Sequence, residues 1–287
     1  MSMSIPKTMM DYATKAMPTW CPGCGDFGII TGIKQALAQI GTETNETVIV
    51  AGIGCGSLMP YWIKTYGLNT LHGRALPIAT GIKIANHKLK VLVNCGDGDG
   101  LGIGMGHFIH FFRRNLDITV MIDNNGVYGL TKGQTAPTAK KGTKTSSTPF
   151  GSIEDYVNGA ALALTMGATF VARAYAGDLQ NLTVILKAAM EHKGSSFIDI
   201  LQPCTTFNKV ETYEFYNEHV EKSDVMFTDR QEAYKFVTTH REKIPTGIFF
   251  IEEKETYEEQ TPQLDKKPLV YHDIDNIDVI EFIESRM

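Results

Sequence analysis

At 287 residues, 43% of them hydrophobic, the chain can bury one large core, alone or with an extension. Its net charge of −5 gives no reason to expect nucleic acid or an anionic membrane surface as partner. No apolar run approaches a membrane span, and Met1–Met10 lacks the apolar segment of a secretory signal; a reducing, cytoplasmic setting without disulfides is therefore expected.

In chain order, the first motif is Cys21-Pro22-Gly23-Cys24-Gly25, whose short reach lets two thiolates grip one metal centre. A helix is predicted over Phe27–Ile40 and a strand over Thr47–Ile53, running into Gly52-Ile53-Gly54-Cys55. A helix over Ala75–Asn86 precedes the strand Leu89–Cys95, which ends at Gly96-Asp97-Gly98-Asp99-Gly100. Gly104–Arg114 reads as a helix on which His107 and His110, among Phe108, Phe111 and Phe112, are structural. The strand Ile118–Ile122 ends at Asn124-Asn125, and Lys132–Pro149 is a surface loop by composition. Ser152 and Asp155 suggest a capping box for a helix over Ile153–Met166. A strand over Thr169–Arg173, a helix over Leu179–His192 capped by Asp178, and a strand over Phe197–Leu201 leading to Cys204 follow. Beyond Cys204 the chain is more charged, with a strand over Thr246–Ile251 and a helix near Asn276–Glu284. Near-continuous apolar strands alternating with helices imply a mainly parallel α/β sheet covered on both faces. We divide it as a domain over 1–204 and a C-terminal extension over 205–287, packed on the domain or on a partner.

Two constellations carry chemistry. In the first, 25 residues separate Gly96-Asp97-Gly98 from Asn124-Asn125, and each group ends an apolar strand. Ligands of open parallel sheets bind outside the carboxyl ends of strands, so both groups would face one site. Asp and Asn oxygens with a backbone carbonyl are the hard ligands that Mg2+ or Ca2+ takes beside a phosphate, and spacing and paired Asn match the thiamine diphosphate fingerprint. Asp99 rivals Asp97 as ligand; Asp97 is preferred because it comes first after the strand and stands between glycines. In the second, Cys21, Cys24, Cys55 and Cys204 are candidates to meet at one edge, where four thiolates suit zinc or an iron–sulfur cluster. Cys95, inside a strand, is expected to be a small buried hydrophobe.

Together these motifs resemble the β subunit of 2-oxoacid:ferredoxin oxidoreductases. The resemblance rests on Trp20-Cys21-Pro22-Gly23-Cys24-Gly25, Gly52-Ile53-Gly54-Cys55, Thr70-Leu71-His72-Gly73-Arg74-Ala75, Gly96 to Gly100, and Asn125-Gly126-Val127-Tyr128-Gly129-Leu130-Thr131-Lys132-Gly133-Gln134. It implies the diphosphate-binding half of the thiamine diphosphate fold. It also implies CoA-dependent oxidative decarboxylation of a 2-oxoacid, 2-oxoglutarate or pyruvate, with electrons passing through a cluster to ferredoxin. By resemblance, Cys21, Cys24, Cys55 and Cys204 carry one [4Fe–4S] cluster, and Asp97, Asn125 and the carbonyl of Val127 hold Mg2+. Gly54, Gly96, Gly98, Asp99 and Gly129 line the cofactor, and Leu130, Thr131 and Lys132 contact its diphosphate. His72 and Arg74 are the candidates to face cofactor or substrate. The aminopyrimidine half comes from a separate α subunit, which implies an interface active site; Met59, Tyr61, Trp62 and Tyr66 are candidates for that interface. The chain departs from the family where Gly56-Ser57-Leu58-Met59 follows Cys55 without a basic residue; Lys64 is the nearest substitute. The rival readings are a non-oxidative thiamine diphosphate decarboxylase subunit and a zinc-holding scaffold without activity.

Overall fold

The apolar, β-branched runs that carry the sequence pattern become strands buried on both faces, the state such runs require. The structure, a computed structural model, describes residues 6–265, 267–273 and 279–286. Strands β1 (Thr47–Ala51), β2 (Tyr66–Asn69), β3 (Lys90–Gly96), β4 (Ile118–Asn124), β7 (Phe170–Tyr175), β8 (Ser195–Leu201), β9 (Val220–Lys222) and β10 (Ile244–Ile251) form one sheet. Their order is β2-β1-β3-β4-β8-β7-β10-β9. All neighbours are parallel except β10, which runs antiparallel to β7. A short hairpin, β5 (Val127–Tyr128) with β6 (Gln134–Thr135), stands apart from it.

Helices cover both faces. On one side α1 (Asp26–Ile40) and α5 (Leu179–Glu191) bury Ile29, Ile33, Leu37, Leu182 and Leu186 against Ile49, Leu92, Met121 and Ile198. On the other, α2 (Ala75–Ala85), α3 (Met105–Phe112), α4 (Gly159–Met166) and α7 (Arg230–Thr238) pack on Val93, Val120, Val171 and Phe197. Phe108 and Phe112 both meet Phe197 edge to face, at 5.6 and 5.8 Å between centroids. Beyond Cys204 the chain adds α6 (Tyr213–His219), and β9 and β10 to the same sheet, and α7 enters the same core. Asp178 caps α5 as predicted, its carboxylate accepting from the Asn181 amide at 3.2 Å.

Some expectations are corrected. The helix expected from Ile153 starts at Gly159, capped by Asn158, which accepts from the Ala161 amide. The capping box is not formed because tertiary bonds claim the segment: the Ser152 amide donates to Thr143, the Val157 amide to Pro137, and Asp155 pairs with Lys141. Strand β2 was not anticipated; it is a four-residue, fully exposed edge strand whose Tyr-Gly-Leu-Asn sequence lacks a period. Met59 and Trp62 are core residues, Trp62 packing against Trp20 at 4.6 Å, whereas Tyr61 and Tyr66 are exposed. Of the helix expected near Asn276–Glu284, α8 spans Val279–Glu284; residues 276–278 lie outside the described residues. Among the described residues, no helix is long and apolar enough to cross a membrane.

Candidate functional site

The parallel register sets the carboxyl ends of β1, β3, β4 and β8 side by side, with Gly96 opposite Asp123 and Asn124 opposite Leu201. The loops leaving these four strands therefore share one edge. They hold Gly52–Cys55, Gly96–Gly100, Asn125–Val127 and Gln202–Cys204.

Asp97 begins a π-helical turn over Gly98–Ile103 and is almost fully buried. Its Oδ1 accepts from the Gly98 amide and its Oδ2 from the Gly126 amide, both at 2.8 Å, with Thr138 Oγ1 as a further donor. Burial pushes its carboxyl up to about 6, although the Thr138, Gly98 and Gly126 hydrogen bonds pull the other way. A buried carboxylate opposed by desolvation favours a cation. Gly98 needs to be glycine, since a Cβ there would lie 2.2 Å from the Tyr128 ring.

Asp99 has another place. Its Oδ1 accepts from the Ile53 amide at 3.1 Å, the Gly73 amide at 2.7 Å and His72 Nδ1 at 2.6 Å. It thus pins the loop before Cys55 and the loop carrying His72 to the Gly-Asp-Gly turn. A Cβ on Gly52 would lie 1.7 Å from Asp99 Oδ2, so the close approach requires that glycine. The His72 ring meets Tyr128 edge to face at 6.1 Å. Arg74 Nη1 lies 2.6 Å from His107 Nε2, which gives His107 a partner its sequence context did not reveal. Cys95 is buried, and burial, with Asp99 next, pushes its thiol well above the ordinary value.

Asn125 Oδ1 accepts from the Val127 amide at 3.0 Å, its Nδ2 donates to Gln202 Oε1 at 2.7 Å, and Asn208 Nδ2 donates to its carbonyl. The β5–β6 hairpin then projects Leu130, Thr131 and Lys132 from the edge, with Lys132 at φ 76° and Gly133 at φ 95° making its turn. Leu130 is exposed, and Thr131 Oγ1 donates to Gln134 Oε1 at 2.5 Å. Thr138, Gln202 and Asn208 hydrogen-bond the candidate ligands Asp97 and Asn125 and were missed by sequence reasoning; polar residues beside a motif carry no pattern of their own.

Two of the four candidate thiols meet at the same hairpin. A Cβ on Gly129 would sit 3.6 Å from Cys55 Sγ and 3.7 Å from Cys204 Sγ. The Cys24 amide bonds the Cys21 carbonyl, and the Gly25 amide bonds the Pro203 carbonyl at 3.1 Å, joining the Cys-Pro-Gly-Cys turn to the segment before Cys204. Trp20 Nε1 donates to the Cys55 carbonyl at 2.7 Å. Cys24 Sγ accepts from Gln202 Nε2 at 3.2 Å and lies 3.4 Å from Asp26 Oδ2. Burial and then the Asp26 carboxylate raise the Cys24 thiol far above the ordinary range. Burial first, then Asp26, Cys204 and Cys21, pushes Cys55 up to about 12. Burial thus makes either thiolate costly on its own, and a metal centre bound there would have to offset its negative charge. Among the described residues, no three His, Cys, Asp or Glu side chains close tightly enough to hold a single ion. Lys64, by contrast, is exposed beside the Tyr12 segment, with its amide on the Tyr12 carbonyl.

Known proteins share both the sequence and the fold. Residues 52–200 match the family described as "Thiamine pyrophosphate enzyme, C-terminal TPP binding domain", and residues 204–266 match the C-terminal family of the pyruvate ferredoxin oxidoreductase beta subunit. The β subunit of 2-oxoacid:ferredoxin oxidoreductase 1 from Aeropyrum pernix is 47% identical over 88% of this chain and 84% of the relative. The 2-oxoacid:ferredoxin oxidoreductase β subunit of Saccharolobus solfataricus is 45% identical over 92% and 91%. Among solved structures, the 2-oxoglutarate:ferredoxin oxidoreductase from Magnetococcus marinus, with 2-oxoglutarate, coenzyme A and succinyl-CoA bound, superposes with a TM-score of 0.90 at 38% identity. That match covers 98% of this chain and 96% of the other.

Proposed function

The chain belongs to the β subunits of 2-oxoacid:ferredoxin oxidoreductases, and from that premise we propose that it serves the CoA-dependent oxidative decarboxylation of 2-oxoglutarate, with ferredoxin as electron acceptor. The observation that carries the reading is how two kinds of donor share one short hairpin. The Gly126 amide bonds the Asp97 carboxylate, and three residues later Gly129 lies against two thiols. Hard oxygen donors and soft sulfur donors are thus held apart but adjacent.

In this reading Asp97, Asn125 and the Val127 carbonyl hold Mg2+ and with it the diphosphate, while Gly54, Leu130, Thr131 and Lys132 border the cofactor. Bound thiamine diphosphate supplies the electron sink for decarboxylation. Cys21, Cys24, Cys55 and Cys204 hold a [4Fe–4S] cluster. Membership among ferredoxin-linked oxidoreductases supports a cluster over zinc, because zinc has no redox chemistry with which to pass electrons on. His72, held through Nδ1 by Asp99, presents its other ring nitrogen for a proton or a substrate oxygen. The α partner that β-subunit membership implies covers the exposed apolar rim of Ile53, Leu71, Ile103 and Leu130, together with Tyr61 and Tyr66. 2-Oxoglutarate is preferred to pyruvate because the superposable Magnetococcus enzyme was solved with it bound.

The test is metal and sulfide content with an EPR spectrum after reduction, on anaerobic protein co-produced with its α subunit, followed by a 2-oxoacid screen. About four irons and four sulfides per chain are expected, with a kcat/KM higher for 2-oxoglutarate than for pyruvate. Stoichiometric zinc without sulfide would remove the electron-transfer role and leave a non-oxidative decarboxylase or a scaffold. A preference for pyruvate would overturn the substrate alone.

A further inference from the structure

Gln202 touches both sets of donors. It follows β8 directly, is 1% exposed, and its amide donates to the Asn124 carbonyl at 2.9 Å, which extends the strand ladder by one residue. Its side-chain Oε1 accepts from Asn125 Nδ2 at 2.7 Å and its Nε2 donates to Cys24 Sγ at 3.2 Å. The orientation of this amide is dictated from outside. Asn125 spends its Oδ1 on the Val127 amide, so only its Nδ2 remains to face Gln202. Gln202 must then meet it with oxygen, which leaves the NH2 group for the sulfur. The stem is held too: a Cβ on Gly25 would lie 2.8 Å from Gln202 Cγ. A buried amide is tolerated because both of its ends are satisfied.

We infer that Gln202 is a positioning residue that couples the oxygen-donor site to the sulfur-donor site, fixing Asn125 for the Mg2+–diphosphate while its N–H tunes the cluster through Cys24. The inference rests on the proposed roles of Asn125 and Cys24. An N–H beside a ligating sulfur stabilises the added electron, so it raises the reduction potential. Groups behind metal ligands set their orientation and change metal affinity when lost. Because one side chain serves both, filling the diphosphate site shifts the cluster potential, and reducing the cluster changes cofactor affinity by the same factor.

The test is an EPR-monitored redox titration of the αβ holoenzyme, with and without Mg2+–thiamine diphosphate, for the wild type and Gln202→Met. Cofactor affinity is measured separately by calorimetry. The wild type is expected to change potential when the cofactor binds. Gln202→Met is expected to show a more negative potential, to lose that response, and to bind the cofactor about 10-fold more weakly. If Gln202→Met does not load its cluster, Gln202→Glu replaces it, keeping an oxygen toward Asn125 while losing the amide donor. Its expected result is a displaced potential with retained affinity. A loaded variant whose potential and affinity both equal those of the wild type overturns the coupling. A wild type without iron and sulfide overturns the reading beneath it instead.

Discussion

Asp97 and Asp99 stand two positions apart and are both buried, yet they face different partners. Asp97 is surrounded by donors from Gly98, Gly126 and Thr138; Asp99 receives amides from 46 and 26 residues upstream. Substitutions at the two should therefore differ in what they do to the cofactor. Asp97→Asn is expected to lose at least ~10-fold in Mg2+-dependent cofactor affinity, and to cost about 1–3 kcal/mol because its NH2 faces the Gly98 or Gly126 amide that the carboxylate now accepts from. Asp99→Ala strands the Ile53 and Gly73 amides and should lower stability by about 2 kcal/mol or more in chemical unfolding. If Asp97→Asn still bound the cofactor with full Mg2+ dependence, Asp97 would not be the ion's ligand. The separate place of Asp97, after an apolar strand and between glycines, was legible in the sequence. The role of Asp99 was not, because its partners are remote in sequence.

Among elements, α1 shows how helix packing delivers a site. It begins right after the Cys-Pro-Gly-Cys turn and lies against α5 and the end of β7. Gly28 makes this possible, since a Cβ would meet the Ala176 carbonyl oxygen at 2.2 Å. Gly28→Ala should cost about 1–3 kcal/mol by overpacking and displace the turn, read as a lower melting temperature and reduced iron loading. Gly81, exposed in the middle of α2, meets nothing within 4 Å of an added Cβ. Gly81→Ala is expected to stabilise by roughly 0.5–1 kcal/mol through the lost backbone freedom of glycine. Equal effects of the two substitutions would refute this account of α1. The long helices were readable from their periodic apolar faces. The late start of α4 was not, because bonds to Pro137 and Thr143 hold its expected first turn extended.

At the scale of the molecule, the parallel sheet separates chemistry from support. The candidate site lies at the carboxyl edge, while a polar network ties the opposite edge. There Asn115 donates to the Lys254 and Glu255 carbonyls and accepts from Thr169 and Ser195, and His192 Nε2 lies 2.9 Å from Thr169 Oγ1. Burial holds His192 below its usual pKa, outweighing the opposing Asp117 and Glu253 charges. The unfolded chain then binds the proton more readily than the fold does. The stabilising contribution is present above the unfolded value of about 6.5 and is lost as pH falls through the lower folded value. Compared with His192→Gln, the wild type should lose melting temperature from about pH 7 to pH 5, the raised Asp97 carboxyl acting in the opposite sense but equally in both proteins; a difference that does not change with pH would remove His192 as its cause. A second expectation concerns assembly. The chain contains one α/β unit of the diphosphate-binding kind, so it should show no 2-oxoacid oxidation alone and gain it on mixing with its α subunit. Activity of the isolated chain would refute the shared site.

The sequence by itself determined the class of fold and the family and nominated two candidate donor sets, because strand burial leaves an apolar run and the motifs place Asp, Asn and Cys at strand ends. These signals are local and survive without coordinates. Only the tertiary structure decided that Asp99 ties three loops together, that Met59 and Trp62 are core, and that Gln202 lies between Asn125 and Cys24. Each of those facts depends on which strand lies beside which. Strand order β1-β3-β4-β8 is set by competition among buried apolar faces across the whole chain, and no local spacing encodes it.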